Sequence, residues 1–169
     1  LSDTAYEALV VKLKALQIEV GAQHEAAAVA EAARIGATLA SHDDTTAAQV
    51  SHSSRLGVSL AEFPTSVEAA RACSDLGIAT IMGAPNLIRG GSHSGNVSAE
   101  ELAREGLIDI LSSDYVPAGL IHAAFSIAEI WNDLPRAIST VSTGPATAVG
   151  LTDRGRIMPA RRADLVRVA

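Results

Sequence analysis

The chain has 169 residues, 19 acidic and 13 basic side chains, a formal charge of −6 and 48% hydrophobic residues. That length suits one domain with room for an appendage, and the apolar content excludes a disordered chain. The acidic balance argues against general nucleic-acid binding and against an anionic membrane surface, and no apolar run approaches the roughly 18 residues of a membrane helix.

Alanine supplies 32 residues, while Phe, Tyr and Trp together make up 3%. The core is therefore expected to be aliphatic and closely packed, as in layered α/β proteins. Cys73 is the single cysteine. It excludes an internal disulfide framework and a multi-cysteine zinc cluster, and it fits a reducing cytoplasm. The opening Leu1-Ser2-Asp3-Thr4 has no Met, no basic segment and no apolar leader, and it reads as something other than a natural start.

In chain order, residues 3–20 and 24–35 read as two helices. A repeat follows: four times a helix-like stretch ends near a glycine and an apolar run comes next. The copies are Ala33-Arg34-Ile35-Gly36 with Ala37 to Ser41, and Ser54-Arg55-Leu56-Gly57 with Val58 to Glu62. Ser74-Asp75-Leu76-Gly77 with Ile78 to Met82, and Ala103-Arg104-Glu105-Gly106 with Leu107 to Leu111, complete the set. Glycine after a helix accepts the left-handed conformation that ends it, and the β-rich run after it reads as a buried strand. The period is that of a βα unit, whose parallel strands need helical crossovers. Ser98 with Glu101, and Thr65 with Glu68, are candidate capping boxes. Pro117 to Trp131 and Pro135 to Ser142 read as helices. The tail from Leu151 changes character, with a tight turn at Asp153-Arg154-Gly155-Arg156 and short strands at Ile157-Met158 and Asp164 to Val168. Four βα units fit either a small open α/β sheet or half of an eight-stranded barrel, and periodicity does not choose between them.

In parallel α/β proteins the functional groups sit where strands hand over to loops. Here those positions read Ser41-His42-Asp43-Asp44-Thr45, Glu62-Phe63-Pro64-Thr65, Gly83-Ala84-Pro85-Asn86 and Ser112-Ser113-Asp114-Tyr115. An imidazole with carboxylates suits a divalent cation with an open position for water. Asp43 or Asp44 could instead cap the helix beginning near Thr46, and Asp114 the helix after Pro117. The stretch from Asn86 through Arg89, Gly90, Gly91, Ser92, His93 and Ser94 to Asn96 is expected to be a loop that cradles phosphate. Its glycines would free backbone amides and its polar side chains add donors. Cys73 reads as a small core residue rather than a nucleophile.

The segments LASHDDTT, AEFPTS, GAPNLIRGGSHSGN and ILSSDYVP resemble the phosphonate-metabolism diphosphatase family of the amidohydrolase superfamily, and the tail resembles that superfamily's return into a small β-sandwich. The resemblance implies an α/β fold. Residues 1–150 would form the second half (strands five to eight) of a metal-dependent-hydrolase (β/α)₈ TIM barrel, and residues 151–169 the sandwich segment. It implies removal of pyrophosphate from a ribose 1-methylphosphonate 5-triphosphate in the carbon–phosphorus lyase pathway. It also implies a divalent metal ion such as zinc or manganese, a missing N-terminal half of the barrel, a cytoplasmic location, and association between copies. His42 matches the histidine ligand after strand five, and Asp114 the aspartate after strand eight that binds metal and takes a proton from the attacking water. Asp43 and Asp44 extend the ligand motif, and Asn86, Arg89, Gly90, Gly91, Ser92, His93, Ser94 and Asn96 would hold the polyphosphate or phosphonate. Strand two lacks the further histidine many relatives carry there. The alternatives are a superfamily relative acting on an amide or cyclic ester, and a non-catalytic half-barrel that serves as a binding module.

Overall fold

The computed structural model describes residues 2–92 and 95–168. The chain forms two compact units, the first running to Leu39 and the second starting at Ala40. The first is one helix, α1 (Asp3–Ile35), where two were expected. No proline interrupts residues 20–24, and the cost of Gly21 relative to alanine, about 1 kcal/mol, is too small to break a ladder flanked by good helix formers. Thirty-three residues give a rod of about 50 Å. Ser2 caps it through the amide of Ala5.

The second unit contains β1 (Ala40–His42), α2 (Ala47–Arg55), β2 (Leu60–Glu62), α3 (Val67–Asp75), β3 (Ala79–Gly83), α4 (Ala84–Arg89), α5 (Ala99–Arg104) and β4 (Ile110–Ser112). The helices α6 (Gly119–Trp131), α7 (Leu134–Ser139) and α8 (Thr143–Ala148) follow. All strand pairs are parallel and the order is β1-β2-β3-β4, so neighbours in the sheet are consecutive in the chain.

The four glycines that mark the repeat are left-handed, with φ of 67° at Gly36, 83° at Gly57, 70° at Gly77 and 72° at Gly106. The amide after each glycine donates back into the helix it ends: Ala37 to the Ala32 carbonyl, Val58 to Ser53, Ile78 to Cys73 and Leu107 to Leu102. This is the Schellman closure. It explains why the strands begin one to three residues later than the apolar runs, at Ala40, Leu60, Ala79 and Ile110. The amide that follows each glycine belongs to the helix and is lost to the sheet.

Side chains alternate across the sheet. One face sends Met82 and Leu111 into a cluster with Leu102, Ile108, Ile127 and the small residues Ala84, Ala99, Ala103, Ala123 and Ala124 beneath α4, α5 and α6. Val50, Ala61, Ala69, Cys73 and Ile78 continue it between α2 and α3. The alanines let helix backbones approach closely, which is how an aromatic-poor chain packs densely. Trp131 ties α6 to α5 by donating to the Ala103 carbonyl at 2.6 Å, with Arg136 stacked 3.9 Å from its ring centre. The other face carries Leu60, Ile81 and Ile110, with Ala79 and Ala148 against them.

Several local expectations are corrected. Thr46, not Asp43 or Asp44, caps α2, in a reciprocal box with Gln49. Ser66 caps α3 in place of Thr65, because Glu68 reaches across to the Ala47 amide at 2.8 Å and Thr65 bonds the Thr45 hydroxyl at 2.8 Å. Ser98 does cap α5 through the Glu101 amide. The helix expected from Pro117 starts at Gly119 with no side-chain cap, so Asp114 does not serve there. No strand forms at Ile157-Met158 or over residues 164–168. A lone extended segment has no ladder without a partner strand. The tail is instead tied by turns: Thr143 Oγ1 donates to the Gly155 carbonyl and the Arg162 amide to that of Asp153.

Candidate functional site

At the C-terminal ends of the strands, three non-glycine residues take left-handed backbone: Asp43 (φ 60°) after β1, Phe63 (φ 54°) after β2 and Asp114 (φ 49°) after β4. The Asp43 and Phe63 amides still extend the sheet ladder, donating to the Glu62 and Ile81 carbonyls at 3.0 and 2.9 Å. The chain then turns sharply away. Aspartate tolerates this conformation, whereas in phenylalanine it is strained by roughly 1–3 kcal/mol. All three residues line one cleft of about 200 Å³ with Pro64, Met82, Gly83, Pro85, Asn86, Arg89, Gly91, Ser92, Asn96, Val97 and Tyr115. Strain of this kind gathers at sites where side-chain direction matters.

Of the residues singled out from sequence, the cleft brings together Asp43, Asn86, Arg89, Gly91, Ser92, Asn96 and Asp114. His42 stands at its margin. Its Nδ1 lies 2.9 Å from Asp43 Oδ2, with both side chains more than half exposed, and its ring meets Phe63 edge-on at 5.3 Å. Asp44 turns away: it is buried, and its Oδ2 accepts the Ser41 hydroxyl. His93 and Ser94 lie outside the described residues.

The expected loop from Asn86 is different in kind. Asn86 and Arg89 belong to α4, and Asn86 Oδ1 is occupied by the Ala99 amide at 2.9 Å, joining α4 to the start of α5. The Gly90 amide closes α4 on Leu87, and the Gly91 amide donates to the Asn86 carbonyl. Gly90 is left-handed and does not line the cleft. These two amides end a helix and are not free to cradle an anion. The polar side chains that this segment brings to the cleft are those of Asn86, Arg89, Ser92 and Asn96.

The sequence places Phe63, Gly83 and Tyr115 at strand ends but gives no reason to assign them a role. A Cβ on Gly83 would meet Asp114 Oδ2 at 3.3 Å and Phe63 Cε1 at 3.5 Å, so the bare glycine lets carboxylate and ring approach β3. Arg89 Cζ lies 5.4 Å from the Tyr115 ring centre. The available signal was rarity, because two of only five aromatic residues follow strand ends.

Among the described residues, no three His, Cys, Asp or Glu side chains come together as a metal-holding group. His42, Asp43 and Asp114 do not amount to a metal centre on their own. Among those residues, too, no helix is long and apolar enough to cross a membrane.

No protein-family model matches the chain. Over 131 residues, 76% of this chain, it is 56% identical to the alpha-D-ribose 1-methylphosphonate 5-triphosphate diphosphatase of Escherichia coli strain K12, of which the match covers 35%. The chain is thus a partial match to that diphosphatase and spans about a third of its length. The crystal structure of an uncharacterised protein superimposes with a TM-score of 0.58 at 21% identity, over 80% of this chain and 39% of that one. That likeness bears on the fold alone.

Proposed function

We propose that this chain is part of a hydrolase that removes pyrophosphate from alpha-D-ribose 1-methylphosphonate 5-triphosphate in phosphonate catabolism, and that the cleft at the strand ends is its substrate site. The observation that carries this is the 56% identity to the E. coli diphosphatase, taken with the gathering of Asp43, Asp114 and Arg89 in one cleft. In this reading Arg89, Ser92 and Asn96 bind phosphoryl oxygens. The Asp114 carboxylate takes a proton from the attacking water as the new P–O bond forms and the anhydride bond breaks, releasing pyrophosphate.

The sheet would be strands five to eight of a (β/α)₈ barrel of the amidohydrolase superfamily, with residues 1–150 its second half and 151–169 the segment that joins a β-sandwich. Its consecutive parallel order supports a barrel: a doubly wound sheet reverses order at a switch point, and this one does not. The apolar second face built on Leu60, Ile81 and Ile110 is what a barrel interior requires. A divalent cation enters only as a shared group, with His42 and Asp114 supplying two donors and the remaining ones coming from other parts of such a protein. A cytoplasmic location accompanies the reading.

The test is a chimera in which this chain replaces the matching third of the E. coli diphosphatase. Pyrophosphate release from the ribose triphosphate that disappears in Asp114→Asn is the expected result. A folded chimera whose turnover is indifferent to that substitution, or that hydrolyses an amide or cyclic ester instead, overturns the assignment.

A further inference from the structure

We infer that Phe63 is a specificity-determining residue of the cleft, its ring the surface against which the sugar part of a polyphosphorylated sugar packs. That role rests on the reading of the cleft as a diphosphatase site and names what the site recognises besides phosphate. The turn at position 63 is imposed by the backbone. The Phe63 amide completes the ladder on the Ile81 carbonyl, and Pro64, fully buried, has no N–H with which to continue it. The chain leaves the sheet through a left-handed residue, with φ 54°. Glycine, asparagine or aspartate makes that turn readily, and phenylalanine makes it under strain. Core packing does not account for the ring either. Phe63 is half-buried and, among the described residues, belongs to none of the three apolar clusters of the core.

What the ring does is reach the strand ends on both sides of β2. It meets the His42 ring edge-on at 5.3 Å at the end of β1, and its Cε1 would lie 3.5 Å from a Cβ on Gly83 at the end of β3. Phe63, Pro64 and Met82 line the cleft with C–H surface, while Asp43, Asp114 and Arg89 bring charge to it. A cleft of about 200 Å³ divided in this way suits a ligand that is itself divided. A sugar carrying a polyphosphate has that character, with ring C–H groups on one part and anionic oxygens on the other. Inorganic tripolyphosphate has the second part only.

The experiment compares the two ligands in the chimera with the rest of the E. coli diphosphatase. It measures KM and kcat for alpha-D-ribose 1-methylphosphonate 5-triphosphate, and Ki for inorganic tripolyphosphate as the competing ligand. Phe63→Asn, which accepts the left-handed turn, is expected to raise KM about five- to tenfold, the scale of uncovering one apolar face. Its kcat and its Ki for tripolyphosphate should stay within about twofold. Phe63→Tyr, which keeps the ring, should hold KM within about twofold of the wild type. An unchanged KM in Phe63→Asn overturns the sugar-facing role and leaves the diphosphatase reading standing. Equal weakening towards both ligands overturns it as well, because the ring would then shape the whole cleft rather than face the sugar. A folded chimera that does not turn over the ribose triphosphate, or whose turnover tripolyphosphate does not inhibit, overturns the polyphosphate reading of the cleft, and the role of Phe63 with it.

Discussion

Gly83 and Asp114 stand so close that a single methyl group on the glycine would come to 3.3 Å from the carboxylate oxygen, with Phe63 just beyond at 3.5 Å. The end of β3 is bare backbone because a carboxylate and an aromatic ring lean over it. The floor of the cleft is therefore set by a residue with no side chain.

Gly83→Ala should separate site geometry from stability. Gly83 has φ −76°, which alanine adopts freely. The substitution thus lowers unfolded-state entropy by about 0.4–1 kcal/mol in favour of the fold, and this offsets the push on Asp114. The exposed carboxylate yields by swinging aside. Thermal unfolding should hardly move, while pyrophosphate release in the chimera should fall roughly tenfold, as expected if Asp114 is the proposed general base and is displaced. Equal turnover in the two proteins would mean that Asp114's position is unimportant.

The repeat was legible because its signal is local. Each glycine ends its own helix with a left-handed residue and two backward hydrogen bonds, and all lie within six residues of chain. The rim was legible in residue type but not in direction. Asp43 and Asp44 are adjacent and chemically identical, yet one lines the cleft and the other is buried against Ser41. That choice depends on the left-handed turn at Asp43. Asn86 read as a loop residue, not as part of α4, because the partner that fixes its Oδ1, the Ala99 amide, is thirteen positions away. The strain at Phe63 is a property of the β2 exit that no residue-type rule anticipates.

Cys73 is fully buried, and its thiol is pushed up from its ordinary 9.0 to about 11, first by burial and then by the nearby Asp44 carboxylate. It should resist thiol reagents at pH 8 in the native protein and react once denaturant is added. The raised value also fixes a sign. Below pH 9 the thiol is neutral in both states and neutral to stability. Between pH 9 and 11 the unfolded chain ionises it and the folded chain does not, so stability falls by about 3 kcal/mol across the window. Urea midpoints measured from pH 8 to 11 should drop more steeply for the wild type than for Cys73→Ala. Parallel curves would contradict this.

Gly144 sits inside α8 with no room above it. A Cβ there would lie 2.9 Å from both the Asp109 and Ser139 carbonyl oxygens, and backbone cannot swing aside as the Asp114 carboxylate can. Helix propensity alone would make Gly144→Ala stabilising by about 1 kcal/mol. The clash should reverse the sign, giving a net loss of roughly 1–3 kcal/mol in urea unfolding. A stabilised variant would show that α8 does not press against the loop before β4.

Metal retention tests how much of a centre this chain carries. His42 is engaged with Asp43, and among the described residues neither Asp114 nor any other His, Cys, Asp or Glu joins them as a group of three. Two side chains hold zinc poorly, because a structural site uses four ligands and a catalytic one three. The 169-residue chain loaded with zinc or manganese and then desalted should therefore keep no stoichiometric metal, and His42→Ala should make no difference. The chimera with the rest of the E. coli diphosphatase should retain metal if the shared-ligand proposal holds, and His42→Ala should then lower its content. Stoichiometric metal on the isolated chain, lost in His42→Ala, would mean that a centre is complete within these 169 residues, and the shared-donor arrangement would fall.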